Sequence, residues 1–137
     1  MRTGLTVLVD SNVYIGLLRR RLDPAAELGG WIGDGNLATC GMVRVEVERG
    51  LKIKKLRRRI AAFFDVMIMV PTSTIIWQET ADLAWQLDRA GGTLPAQDLL
   101  IAVSAMKLDG VILTDDGHFE AIPGLRVLKP GQELPGW

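Results

Sequence analysis

Residues 5–18 read LTVLVDSNVYIGLL, and the fold can be predicted outward from this stretch. Residues 5–9 are apolar and partly β-branched, which is typical of a short buried strand. Asp10 ends that strand, and Ser11 and Asn12 then supply helix-capping chemistry ahead of an apolar pattern with helical spacing. The stretch therefore predicts a strand followed at once by a helix, with a carboxylate at the carboxyl end of the strand.

The same alternation of strand and helix continues along the chain. Apolar runs predict further strands at 37–40, 66–70, 111–113 and 125–128. Helical spacing predicts helices at 25–32, 42–49 and 52–65, another around residues 76–87, and one at 99–106 that is apolar almost all round. Such alternation indicates a three-layer α/β fold with a mainly parallel sheet, in a single domain over residues 1–137.

Bulk composition narrows the class of protein. The 137 residues are 48% hydrophobic and 23% charged, which favours a folded globular chain over a disordered one. No apolar run approaches a membrane span, and the first residues lack the pattern of a signal peptide, so we expect a cytoplasmic protein without a membrane partner. The single cysteine, Cys40, excludes an internal disulfide and a cysteine-based zinc site.

Charge is unevenly distributed although the formal net charge is zero. Twelve basic and six acidic residues lie in the first 60 residues, against four and ten in the remainder. A basic run makes up much of this surplus: Lys52, Lys54, Lys55, Arg57, Arg58 and Arg59. Such a run is most often a solvated helix face, and the alternative is a surface that binds the phosphates of a polyanion.

Four acids stand at comparable places relative to the predicted strands. Asp10 follows the first strand, Glu46 lies in the helix that leaves the second, and Asp116 lies three residues past the strand at 111–113. Asp98 opens the buried helix, where the helix dipole favours an anion. Ligands of parallel sheets bind outside the carboxyl ends of the strands, so all four acids could converge on one edge.

Each acid also has an ordinary interpretation. Asp10 could cap a helix, Glu46 could be a solvated helix residue, and Asp98 could be a first-turn acid. The neighbouring Asp115 and Asp116 could belong to a solvated turn with Gly117. If the four acids converge, however, their repulsion has to be neutralised by protons or cations. Oxygen-rich sites of this kind suit Mg²⁺ or Mn²⁺.

Four segments together resemble the PIN-domain family, and within it the VapC-type toxins of toxin–antitoxin pairs. They are VLVDSNVYIGLL, TCGMVRVEVERGL, PAQDLLIAVSAMKLDGVILTDDGHF and EAIPGLRVL, which span nearly the whole chain. The resemblance implies a Mg²⁺- or Mn²⁺-dependent endoribonuclease on a five-stranded parallel sheet of PIN-like α/β/α architecture. It also implies an RNA substrate, a small antitoxin protein as partner, and a homodimer.

Matched to the family's motifs, Asp10, Glu46, Asp98 and Asp116 correspond to its acidic, metal-binding catalytic residues. Thr114 matches a hydroxyl residue of the last motif, and Asn12 is expected to support Asp10. Many relatives carry Asn where this sequence has Asp115, so two roles stay open for that acid, metal binding or exposure at the rim. The basic run at 52–59 is then the candidate RNA-binding surface. The rival interpretations are a housekeeping RNA-processing nuclease, a non-catalytic RNA- or protein-binding module, and a phospho-accepting receiver domain.

Overall fold

The computed structural model describes residues 4–137, which contain five strands, seven α-helices and one 3₁₀-helix. The strands are β1 (Thr6–Val9), β2 (Asn36–Cys40), β3 (Ile68–Val70), β4 (Val111–Leu113) and β5 (Arg126–Leu128). The helices are α1 (Ser11–Arg19), α2 (Pro24–Ile32), α3 (Gly41–Glu48), α4 (Lys54–Asp65), α5 (Thr74–Arg89), α6 (Ala96–Met106) and α7 (Pro130–Glu133). The 3₁₀-helix is Gly117–Ala121, directly after β4.

All five strands belong to one sheet in the order β3-β2-β1-β4-β5, and every neighbouring pair is parallel. Strand β1 is central, and its Val7 is in register with Leu37 of β2 on one side and Val111 of β4 on the other. The five-stranded parallel sheet expected from the sequence is confirmed.

The order of the strands also places the helices. The chain moves outward from β1 through β2 to β3 and then returns across β1 to β4 and β5. Right-handed crossovers place α1–α4, which connect β1 to β2 and β2 to β3, on one face of the sheet. The connection from β3 back to β4 places α5 and α6 on the opposite face, which gives the three layers. Between β1 and β4 the direction changes, and a crevice for ligands is expected at the carboxyl ends of these two strands.

The core explains why β1, β4 and α6 are so apolar. Leu8, Val9, Ile112 and Leu113 are fully inaccessible to solvent, because both faces of the sheet are covered. In α6, seven consecutive residues from Leu99 to Ala105 are buried. The elements that deliver Asp10, Asp98 and Asp116 therefore have little freedom to move.

Element boundaries differ from the predicted ones by one to three residues, the largest difference being the start of α6 at Ala96 rather than 99. Helix α4 begins at Lys54 rather than 52, and β3 begins at Ile68 rather than 66. The sequence pattern did not predict α7 or the 3₁₀-helix, because helices of four or five residues are too short to show helical periodicity.

The C-terminal segment packs back onto the first helix. A Cβ on Gly16 would lie 2.2 Å from the ring of Trp137, so only glycine allows this close approach. The guanidinium of Arg20 lies 3.9 Å from the centre of the same ring, on which it forms a cation–π contact. Trp31 is buried in the core, whereas Trp77 and Trp85 are more than half exposed on α5.

Among the described residues, no helix combines the length and the apolar character that crossing a membrane requires.

Candidate active site

Asp10 lies at the carboxyl end of the central strand. Its backbone N–H donates to the carbonyl oxygen of Leu113 at 2.9 Å, so it continues the pairing of β1 with β4. Its side chain is almost fully buried; one oxygen accepts from the N–H of Ser11 and the other from the hydroxyl of Thr114, each at 2.8 Å. Because both oxygens are held by donors, the carboxylate of Asp10 has a fixed orientation.

Thr114 connects the loops that follow β1 and β4. Its buried hydroxyl donates to Asp10 and accepts from the backbone N–H of Asp116 at 3.0 Å and from the Asn12 amide at 3.2 Å. The amide oxygen of Asn12 accepts from the backbone N–H of Asp115 at 3.2 Å. The support that the sequence assigned to Asn12 therefore reaches Asp10 through Thr114.

Ser11 brings Glu46 next to Asp10. The Ser11 hydroxyl lies 3.3 Å from Oε1 of Glu46 on α3 and 3.5 Å from Oδ1 of Asp10. The hydroxyl carries one hydrogen, so it donates to one carboxylate at a time while it spans the two. From the sequence we predicted only a capping role for Ser11, because capping serines are common after a strand and nothing in the pattern placed this one against Glu46.

Asp116 caps the 3₁₀-helix after β4. Its Oδ1 accepts from the backbone N–H of His118 at 2.9 Å and lies 3.2 Å from Nδ1 of the same histidine. Asp98 is half-buried in the first turn of α6, close enough to Asp116 and His118 for their charges to affect its pKa. Burial raises the pKa of Asp98, the charges of Asp116 and Glu46 raise it further, and His118 lowers it.

The other acids show the same mutual influence. Burial raises the pKa of Asp10, and the charges of Asp98 and Asp116 add to this rise, against the hydrogen bonds from Thr114 and Ser11. Burial also raises the pKa of Glu46, with a further rise from the charge of Asp10; the Ser11 hydrogen bond and the charge of Arg49 act in the opposite direction. The four acids predicted from the sequence thus lie within range of one another's charge, and this concentration of negative charge is costly without a counter-charge.

The donors fit a hard divalent cation in their chemistry, since all are carboxylate oxygens at one buried edge. Their spacing is wider than a closed ligand shell: across residues 4–137, no three Asp, Glu, His or Cys side chains are grouped so that they could hold a metal ion as placed. We call the fixed Asp10 and the half-buried Glu46, Asp98 and Asp116 the acidic frame.

The remaining predicted residues lie outside this frame. Asp115 is exposed at the rim, where only its backbone N–H is engaged by Asn12. All six residues of the basic run are exposed, and Lys52 precedes α4. Two of the six form ion pairs, Arg57 with Glu48 at 3.3 Å and Arg59 with Asp23 at 2.5 Å. Only part of the run is therefore available to an external partner.

The fold and the acids together define a class: three-layer α/β domains with a parallel sheet and acidic residues at the point where the strand order reverses. Within this class, the model of the PIN domain matches residues 7–125, so the chain belongs to the PIN-domain family. PIN domains are nucleases, which supports hydrolase activity in general.

Solved structures share this fold at low sequence identity. VapBC2 from Rickettsia felis, bound to a promoter DNA fragment, superposes with a TM-score of 0.75 at 19% identity, covering 90% of this chain and 98% of that one. VapBC-1 from nontypeable Haemophilus influenzae gives 0.72 at 20% identity, covering 90% and 97%. The PIN domain endonuclease Utp24 gives 0.51 at 19% identity, covering 90% and 84%. No curated protein matches the sequence of this chain.

Proposed function

We propose that this protein is a Mg²⁺- or Mn²⁺-dependent endoribonuclease and the toxin of a toxin–antitoxin pair. The observation that carries the proposal is the set of four carboxylates at the switch between β1 and β4, three of which have a raised pKa. Perturbed carboxylates of this kind in a crevice are a mark of functional sites. Membership of the PIN family and the superposition on VapBC structures support the same conclusion.

The acids that would hold the ion are Asp10, Glu46, Asp98 and Asp116. A bound Mg²⁺ supplies an activated water and neutralises charge on the phosphate and on the leaving oxygen. The protein's own residues position the acids: Thr114 and the Ser11 N–H orient Asp10, and the Ser11 hydroxyl keeps Glu46 beside Asp10. We propose hydrolysis of the phosphodiester to a 5′-phosphate and a 3′-hydroxyl.

An RNA cleavage assay with a matched pair of variants tests the chemistry. Asp98→Asn removes one site acid at a half-buried position, whereas Asp82→Asn removes an exposed acid on α5. We expect Asp98→Asn and EDTA each to reduce cleavage by about 100-fold or more, and Asp82→Asn to cleave like the parent. Mg²⁺ or Mn²⁺ added in excess of EDTA should restore the parent. Undiminished cleavage in EDTA would contradict the metal-dependent mechanism.

An antitoxin is the proposed partner. A groove of about 360 Å³ between α1 and the C-terminal end of α3 is lined by Ile15, Leu18, Val47 and Leu51 among others. We propose that apolar residues of an antitoxin tail, disordered alone, fill this groove, and that an Arg of the tail pairs with the site acids. Arginine suits the role because its planar fork matches a carboxylate bidentately.

Co-expression with a short open reading frame directly upstream tests the partner. We expect the two chains to co-purify, the complex to cleave RNA far more slowly than the free protein, and the free protein to be a homodimer by light scattering. If the complex cleaves as fast as the free protein, the toxin assignment fails while the nuclease assignment stands. A housekeeping RNA-processing role is then the better proposal. If instead the free protein binds RNA without cutting it under any metal, a non-catalytic binding module remains.

A further inference from the structure

A groove between α3 and α4 gathers cations beside the acidic site. Two adjoining concavities of about 460 and 300 Å³ share Glu48 and Arg57 as lining residues and so form one continuous surface. We call this surface the basic groove; its cationic residues are Arg44, Arg49, Lys54, Arg57 and Arg58. Glu48 is the one acid in its lining. Five cations line the groove against one acid, and Asp65 pairs with Arg44 from outside the lining, so the groove stays positive.

Glu48 orients two of these cations and does not neutralise the positive charge of the groove. One of its oxygens accepts from Nε of Arg44 at 3.2 Å, and the other accepts from Nε of Arg57 at 3.3 Å. Arg44 is further fixed by Asp65 at 2.8 Å. Arg57 is bound through Nε, so this ion pair leaves its terminal amino groups unused, and its side chain is 62% exposed. A guanidinium fixed at Nε is pre-organised for a second anion.

Three more cations of the basic groove have no acid of their own. Arg49, Lys54 and Arg58 are exposed and form no ion pair within residues 4–137. Lys54 and Arg58 are four residues apart on α4, so they project from the same face of the helix as Arg57. The apolar side chains of Val45 and Leu51 line the same concavity.

Arg49 connects the basic groove to the acidic site. It lines the groove, and its charge is one of the influences that lower the pKa of Glu46. Glu46 and Arg49 are three residues apart along the chain, which places them on one side of α3 and its C-terminal turn. A chain lying across the acids can therefore continue into the groove past Arg49.

We propose that the basic groove binds the phosphates of single-stranded RNA that flank the cleaved bond, with Arg49 next to the site and Lys54, Arg57 and Arg58 farther along. This inference rests on the proposed nuclease function and deepens it. The acids themselves repel a polyanion, so affinity for RNA has to arise from contacts elsewhere on the surface. Guanidinium groups that are already oriented can bind phosphate oxygens bidentately.

Only some residues of the basic run at 52–59 line the basic groove. Lys54, Arg57 and Arg58 line it, whereas Arg59 pairs with Asp23 and lines a separate concavity toward α2. Lys55 is one turn from Arg59, on that second face of α4. Binding of RNA by the groove therefore predicts unequal effects from neighbouring residues of one helix, which binding by overall charge does not.

The experiment measures binding of a 20-nucleotide single-stranded RNA by fluorescence anisotropy in EDTA, with Asp98→Asn present in every protein so that the RNA is not cut. The test variant is Arg49→Gln with Arg58→Gln. Its matched control is Arg89→Gln with Arg126→Gln, which removes the same charge from α5 and β5. Titrations at several salt concentrations give both the affinity and its salt dependence.

We expect the test variant to bind about tenfold more weakly and to lose about 1.4 from the slope of log K against log salt concentration, at about 0.7 per phosphate contact in a single strand. The control variant is expected to retain the slope of the Asp98→Asn protein. Arg58→Gln alone should weaken binding more than Lys55→Gln alone. If the test and control variants lost equal affinity for RNA, or if Arg58→Gln and Lys55→Gln did, the proposal would be overturned and RNA would be bound by overall charge.

Two further outcomes separate this inference from the proposed function. If the parent cleaves RNA and the test variant binds it unchanged while losing a co-purified antitoxin, the groove is a protein-binding surface and the inference is wrong. If the parent neither cleaves nor binds RNA, the proposed function fails first and the inference fails with it.

Discussion

Glu46 and Glu48 are the same residue type, two positions apart on α3, and their surroundings are opposite. Glu46 faces other acids, and burial and the charge of Asp10 raise its pKa. Glu48 faces cations and accepts hydrogen bonds from Arg44 and Arg57. Successive residues of a helix are rotated by about 100°, so two positions turn a side chain to nearly the opposite face. One helix therefore forms the boundary between an acidic site and a basic groove.

The difference teaches that local sequence does not distinguish an acid that lies among other acids from one that lies among cations. Both glutamates lie in the segment VRVEVER, and Val47 is an immediate neighbour of each. Their roles follow from what packs against each face of α3: Ser11 and Asp10 on one, and Arg57 of α4 on the other. A carboxylate among cations stabilises the fold, whereas a carboxylate among other acids lowers the free energy of unfolding.

The largest expected effect comes from exchanging each of these glutamates for glutamine. Glu46→Gln should reduce RNA cleavage by about 100-fold or more, because it removes one acid of the site. Glu48→Gln should change cleavage by less than about tenfold. It should instead lower the free energy of unfolding by about 1 kcal/mol, since glutamine has one acceptor oxygen for two arginines.

Single-turnover cleavage and urea denaturation of both variants measure the two effects. Glu46→Gln should unfold no more easily than the parent, because it relieves repulsion. If Glu48→Gln proved the more damaging variant for cleavage, the division of α3 into an acidic and a basic side would be wrong.

A smaller effect is expected from Thr114→Val, which tests how Asp10 is oriented. Valine keeps the shape but removes a buried hydroxyl that donates to Asp10 and accepts from Asp116 and Asn12. We expect stability to fall by about 1–3 kcal/mol, because buried N–H donors lose their acceptor, and cleavage to fall by about tenfold. Thr114→Ser keeps the hydroxyl and should restore most of the cleavage, as measured by kcat at saturating RNA. Equal losses for valine and serine would assign the effect to packing.

The smallest effect is on the pH dependence of stability in EDTA. The pKa of Asp98 in the folded protein is raised above 3.8 by burial and by neighbouring acids. Its stabilising contribution is therefore complete below the ordinary pKa and is lost as the pH rises through the raised value. Asp98→Asn cannot lose a proton, so its stability relative to the parent should increase between about pH 4 and pH 7, by less than about 1 kcal/mol since the group is partly solvated. Urea unfolding curves across this range check the sign, and a relative stability that decreases with pH would contradict the shared acidic site.

Much of the sheet was predictable because its signals are local. A short apolar run followed by capping residues predicts a strand and then a helix, and β1 with α1 follows that rule; the apolar run at 111–113 likewise predicts β4. The prediction that Asp10, Glu46, Asp98 and Asp116 converge also needed only the rule that ligands bind at the carboxyl ends of parallel strands. The short helix α7 and the bridging position of Ser11 were not predictable, because each depends on contacts with distant parts of the chain.

The sequence by itself determined the alternation of strands and helices and the presence of acids near the predicted strand and helix ends, since periodicity and residue chemistry are properties of the local chain. Only the tertiary structure decided that β1 and β4 are neighbours, and hence that Thr114 lies 2.8 Å from a residue 104 positions away. It also decided which cations remain available, because Arg57 and Arg59 meet their acids only after α4 packs against α3 and α2. Ion pairs and hydrogen bonds between distant residues depend on distances in space, and packing of the whole chain sets those distances.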